Sequence, residues 1–145
     1  EDQLHKSSDQ LNMPDNTVVV SARLETELKE LDEADHSSFV GSQHIVPLAK
    51  ILETGYRMLG LISFLTAGPM EARAWPVSVG MKAPQAAGTI HGDFEKKFIA
   101  ADVVSYENFV SVGGWTKARE KGLVRTEGKE YIMRDGDVVI FKHGN

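Results

Sequence analysis

The stretch that decides the fold is Lys82–Phe98, KAPQAAGTIHGDFEKKF. Pro84 fixes one backbone angle and suits the first turn of a helix. Ala86, Ala87 and Gly88 carry little side chain, so another element can approach that helix closely. Gly92 is expected to break it, and Phe94 and Phe98 to return to the core. The flanks read as strands: Leu61–Thr66 and Ala72–Val79 before, around a Gly68-Pro69 turn, and Phe98–Val104 after. A short helix between two sheet-forming regions predicts an α+β fold.

Downstream, Tyr106–Val112 reads as a short helix, and Lys117-Ala118-Arg119-Glu120-Lys121 as a loop or helical turn. Three closing runs follow, Leu123–Thr126, Glu130–Met133 and Val138–Phe141, separated by Glu127-Gly128-Lys129 and Asp135-Gly136-Asp137, which are hairpin-type punctuation. Upstream, Ile45, Leu48, Ala49, Leu52, Tyr56 and Leu59 recur at helical spacing, with Pro47 in the first turn and Gly60 as the stop. Before that helix lie an acidic connector, Asp32–Ser42, and a β-branched run, Thr17–Val20. Ser21 then caps a helix with Ala22, Leu24, Leu28 and Leu31 on one face.

Composition bounds the function. At 145 residues with 41% hydrophobic content, the chain can form one domain or a small domain with an appendage. With no cysteines, disulfides and thiolate metal sites are excluded. No apolar run is long enough to span a bilayer, and no leader opens the chain, so a soluble protein without a membrane partner is expected. Because it opens on Glu1 rather than methionine, the chain is read as a piece of a longer protein. Charge is unevenly placed: residues 1–60 hold five Lys/Arg against eleven Asp/Glu, whereas 61–145 hold eleven against ten. The second part is therefore the better candidate for a basic face.

Several chemistries can be weighed. Gly55-x-x-x-x-Gly60 has the glycine spacing of a phosphate-binding loop. It continues as Leu61-Ile62 instead of Lys-Ser/Thr, so nothing would hold the phosphates or Mg²⁺. Asn12-Met13-Pro14-Asp15 reads as a turn. His91-Gly92-Asp93 with His143 has the ligand types of a two-histidine, one-carboxylate iron site. Against it, the intervening span is partly helical, His143 lies near the end, and no arginine follows to anchor an oxo-acid. His91 is better read as partly buried and bonded to Asp93 or backbone, or as part of an interaction surface. No Ser/His/Asp arrangement stands out. Trp75, Tyr106 and Trp115 could stack on bases, though Trp75 fits a core position better. Lys96, Lys97, Lys117, Arg119, Lys121, Arg125 and Lys129 form the notable basic concentration, diluted by Glu107, Glu120 and Glu127.

Taken together, KAPQAAG-x-IH-x-DFEK-x-FI, with Glu71-Ala72-Arg73-Ala74-Trp75 before it and Glu127-Gly128-Lys129-x-Tyr131 and Asp135-Gly136-Asp137-Val138 after it, resembles the carboxyl-terminal end of the YchF / Obg-like ATPases. The resemblance extends from Val18 to Phe141. Lys97 departs from it, standing where the family usually has glycine in a tight turn. For residues 61–145 it implies a TGS domain, a ubiquitin-like β-grasp module also found in threonyl-tRNA synthetases and stringent-response enzymes. Residues 45–60 would be a bridging helix, and 1–44 the end of a P-loop nucleotide-binding domain with its connector. Val18-Val19-Val20-Ser21-Ala22-Arg23 resembles the last base-contacting loop of Ras-like domains, which would make Ser21, Ala22 and Arg23 a remnant of a nucleotide site.

The implied parent is a cytoplasmic, ribosome-associated P-loop protein that binds ATP in preference to GTP, with Mg. Its phosphate loop and catalytic histidine lie outside these residues, so no catalytic residue, metal or cofactor is expected in the chain itself. The seven basic residues are the expected RNA or ribosome surface. A ubiquitin-like domain that binds a protein partner without RNA is the other expectation.

Overall fold

The computed structural model describes residues 48–144 and, alone upstream of them, the helical Thr26. Thr17–Val20, the Ser21-Ala22-Arg23 loop and the acidic connector lie outside the described residues. The chain divides into two compact units, Glu1–Met58 and Leu59–Asn145.

In the first unit, α1 covers Leu48–Met58 and carries a Lys50–Glu53 ion pair of 2.7 Å across one turn. Gly55 lies inside this helix, whereas Gly60, already in the second unit, has φ 63° and takes the left-handed conformation that glycine favours. The glycine pair thus belongs to a helix and the turn after it, not to a phosphate loop.

The second unit is a five-stranded sheet with four short helices. In chain order the elements are β1 Leu61–Ala67, β2 Ala72–Ser78, α2 Ala83–Ile90, α3 Gly92–Lys96, β3 Phe98–Ser105, α4 Tyr106–Val112, α5 Trp115–Glu120, β4 Arg125–Glu127 and β5 Asp137–His143. The strand order is β2-β1-β5-β3-β4. β5 sits at the centre, parallel to β1 and antiparallel to β3, and the two edge pairs are antiparallel. This α+β architecture is consistent with a β-grasp-like domain.

Period-two alternation divides the core between the two sheet faces. Phe64, Val77, Ala101, Val103 and Val139 share one cluster with Ala83, Ala86 and Ala87 of α2, the three alanines being fully buried. Small side chains let the α2 backbone lie close to this face, as the sequence pattern requires. Val104 and Val138 belong to a second cluster with Val112, Ala118, Phe109 and Trp115, which α4 and α5 supply.

Two local expectations, at Gly92 and at Glu130–Met133, need correction. α2 ends at Ile90, where His91 is extended (φ −158°), so Gly92 opens α3 instead of breaking α2. Of the two alternatives for Lys117–Lys121, the helical one holds, within α5 and its cap. Glu130–Met133 is not a strand: Ile132 forms one bridge to Lys82, and Met133 N–H bonds Met81 O at 2.9 Å, so the segment crosses the start of α2. The Asp135–Asp137 turn then hands the chain to the sheet centre. There Gly136 N–H donates to Ser63 O (2.9 Å) and Asp135 Oδ1 accepts from Ser63 N–H (2.8 Å). Lys97, where a tight turn raised the question of glycine, has φ −104°, an ordinary angle for lysine.

Candidate nucleic-acid interface

Asp102 is the one carboxylate in the apolar strand β3, and its side chain is only 7% exposed. Lys142 Nζ reaches Oδ1 at 2.6 Å, Thr126 Oγ1–H donates to the same oxygen at 2.8 Å, and Arg119 Nη2 approaches Oδ2 at 3.5 Å. Burial pushes the carboxyl pKa up, but the Lys142, Thr126 and Arg119 contacts outweigh it and hold the group below its ordinary value. Asp102 therefore stays charged at neutral pH and fixes two cations whose side chains remain about half exposed, 52% for Arg119 and 47% for Lys142.

Arg119 belongs to α5, whose Ala118 is fully buried. Helical spacing puts Lys117 and Lys121 on one flank of that buried line and Arg119 on the other, facing Asp102. Gly114 N-caps this helix, and Trp115 locks its start by donating Nε1–H to Ala67 O at 2.8 Å. Trp115 is thereby a packing residue that also carries the Arg119 guanidinium 5.6 Å from its ring.

Arg125 leaves on the opposite side of the sheet. It pairs with Val103, whereas Thr126 pairs with Asp102, and neighbouring strand residues face opposite ways. Arg125 Nη2 donates to Tyr131 Oη (3.2 Å), Tyr131 Oη–H donates to Asp137 Oδ2 (2.8 Å), and Arg134 N–H donates to that oxygen (2.9 Å). Burial and the Asp137 carboxylate push the Tyr131 hydroxyl up to about 12, against the pull of Arg125 and Arg134. Lys129 follows β4 at an open depression of about 750 Å³, lined also by Glu127, Glu130, Tyr131 and Arg134. Lys82 Nζ is bonded to Glu130 at 2.6 Å beside it.

Lys96 and Lys97 lie at the end of α3, both exposed. The seven predicted basic residues thus fall into three groups: Lys117, Arg119 and Lys121; Arg125 and Lys129; Lys96 and Lys97. Sequence reasoning missed Lys142 and the organising role of Asp102, although a single carboxylate inside Phe98–Val104 was a readable signal. Ser21, Ala22 and Arg23 lie outside the described residues.

His91 is exposed, not partly buried as the sequence suggested; its Nδ1 accepts from Asp93 N–H at 3.2 Å and caps α3. The rings of His91 and His143 both rest on Phe94, at 5.8 and 4.2 Å between centroids. Among the described residues, no group of three His, Cys, Asp or Glu side chains could hold a metal ion. Trp75 is half-buried beneath Arg73, whose guanidinium lies 4.2 Å from its ring centre. No helix among the described residues is long and apolar enough to cross a membrane.

Comparison with known proteins places the chain in a family. A family model described as YchF-GTPase_C, protein of unknown function (DUF933), matches residues 61–144. The "Ribosome-binding ATPase YchF" of Bacillus subtilis is 44% identical over 86% of this chain and 35% of its own length. The Homo sapiens "Obg-like ATPase 1" is 43% identical over 84% of this chain and 31% of its length. The chain thus spans about a third of these relatives. Among solved structures, the Schizosaccharomyces pombe YchF GTPase superposes with a TM-score of 0.69 at 36% identity, over 85% of this chain and 33% of that one. A Pyrococcus horikoshii GTP binding protein superposes at 0.56 with 16% identity over 86% of this chain and 36% of that one, a likeness of fold alone. The chain therefore belongs to the YchF / Obg-like ATPase family.

Proposed function

We propose that residues 61–145 are the TGS-type binding module of a YchF-type nucleotide-binding protein, and that this module contributes to ribosome association by contacting RNA phosphates. The observation that carries the reading is the pair Arg119 and Lys142 at one buried carboxylate, with Lys117 and Lys121 on the other flank of the same helix as Arg119. Cations already held in place lose less side-chain freedom when they meet a phosphate. Relatives named ribosome-binding ATPases support the partner. Arg125 and Lys129 extend the surface around the β4 edge, and Lys96 and Lys97 form an outlying pair.

In the same reading, residues 1–44 are the end of a nucleotide-binding domain and 45–60 a bridging helix. Ser21, Ala22 and Arg23 touch the purine of ATP or GTP, while the phosphates and Mg are held by parts of the parent outside this chain. The parent is the ATPase, it works in the cytoplasm, and this chain by itself is a regulatory and binding module. The test is co-sedimentation of the full chain with purified ribosomes. Lys117→Glu, Arg119→Glu and Lys121→Glu together should abolish pelleting. Lys117→Glu with Lys121→Glu, which leaves Arg119 on Asp102, should weaken it with the melting temperature nearly unchanged, since exposed charges contribute little to folding. Undiminished pelleting would transfer the role to a protein partner docking on the domain.

A further inference from the structure

The array of His91, Phe94 and His143 lies at the surface, outside the basic ridge of α5. The His143 ring stacks on Phe94 at 4.2 Å and 16°, and His91 leans on Phe94 at 5.8 Å and 53°. Phe94 is half-buried against the core, while both histidines are exposed. Each ring is held in place. His91 is fixed by its cap bond to Asp93 N–H, and the chain around His143 by Gly144 N–H donating to Lys97 O at 2.9 Å. Lys96 and Lys97 stand beside the array, exposed and in no ion pair with a described residue.

We infer that the His91–Phe94–His143 array, flanked by Lys96 and Lys97, is a stacking platform for an unpaired base of single-stranded RNA. The inference rests on the RNA-binding reading above and gives it a second contact. Exposed rings with adjacent cations are the combination that binds single strands, because every base offers a π face and every linkage a phosphate. Asp93 and Glu95 of α3 stand with Lys96 and the capping Lys97, so the local charge nearly balances and phosphate attraction alone would be weak. The base, not the backbone, is then the recognised group.

The test uses the full chain and two fluorescent probes at low salt: a ten-nucleotide oligoadenylate, and an abasic oligonucleotide of equal length. The unsubstituted chain should bind the oligoadenylate more tightly. His143→Ala should weaken oligoadenylate binding by about 5- to 150-fold, the range for losing one base–aromatic stack, and leave the abasic probe unaffected. His143→Phe should retain binding. His91→Asn, which keeps a capping side chain but removes the ring, should also weaken the oligoadenylate alone. Equal binding of the two probes, no oligoadenylate binding, or an equal loss for both on His143→Ala would overturn the platform and leave the stack as packing between α3 and β5. Ribosome pelleting that depends on α5 could survive that failure, and the probe discrimination could survive failure of the α5 reading, so the two proposals fail separately.

Discussion

Replacing Asp102 by alanine should destabilise the second unit by about 1.5 kcal/mol, the low end for removing a charged hydrogen-bond partner. Three contacts are lost: Lys142 at 2.6 Å, Thr126 at 2.8 Å and Arg119 at 3.5 Å, the last at the limit of a hydrogen bond. Lys142 and Arg119 are half exposed and Thr126 exposed, so all three regain water, which keeps the loss well below the about 3–5 kcal/mol of a broken buried ion pair. At about 4–8 °C per kcal/mol for a domain of this size, melting should fall by about 6–12 °C. Asp102→Asn keeps an acceptor and should lose less.

The pH dependence separates charge from packing. The folded-state pKa lies below the ordinary 3.8, so the carboxylate's contribution is complete above that value and disappears as pH falls through the folded pKa. In thermal unfolding by circular dichroism, the unsubstituted chain should therefore lose stability more steeply below about pH 4 than Asp102→Asn. An alanine variant as stable as the original, or parallel acid curves for the original and Asp102→Asn, would refute the role given to Asp102.

Other features can be tested as directly. Tyr131, raised to about 12 from 10.0, contributes fully below its unfolded pKa, and that contribution is lost as pH rises through the folded one. Tyr131→Phe should show a shallower loss of stability over that alkaline range and lack the highest-pH step in phenolate absorbance. Alanine at Gly88 would put its Cβ 2.6 Å from Glu95 Oε2 and 3.1 Å from Glu95 Cβ. Gly88→Ala should therefore lower the urea midpoint despite a helix-propensity gain of up to about 1 kcal/mol, and adding Glu95→Ala should restore most of it. Val79 N–H to Gly60 O and Gly68 N–H to Glu71 O set the β1–β2 ladder so that Pro76 turns its missing donor to the outer edge of the described sheet. Pro76→Val should change stability by less than about 0.5 kcal/mol but promote self-association in sedimentation velocity.

The sequence revealed what local pattern determines. The Phe98–Val104 run, the Tyr106–Val112 helix and the small face of α2 were legible because apolar spacing and turn residues are local signals. The partner of each strand was not. Asp135-Gly136-Asp137 has hairpin chemistry, yet β5 enters the sheet centre, because its Val138 and Val139 are both buried between β1 and β3. Ile132 and Met133 looked like strand residues, but they close over the start of α2. At the candidate site, the basic residues were visible and their grouping was not. Arg125 and Arg119 diverge because strand alternation sends one to Tyr131 and leaves the other at Asp102. Lys142 joins Arg119 only through the β3–β5 pairing, a contact spanning forty residues.

If Lys117, Arg119, Lys121 and Lys142 meet phosphates, as proposed, ribosome binding must weaken steeply with salt. Four contacts, each contributing about 0.7–0.9, give a log-log slope of about −3 to −3.5. The Lys117→Glu, Arg119→Glu, Lys121→Glu variant should flatten that slope to about −1 or abolish binding. A slope near zero for the unsubstituted chain, or an identical slope for the variant, would contradict the account and favour a protein partner.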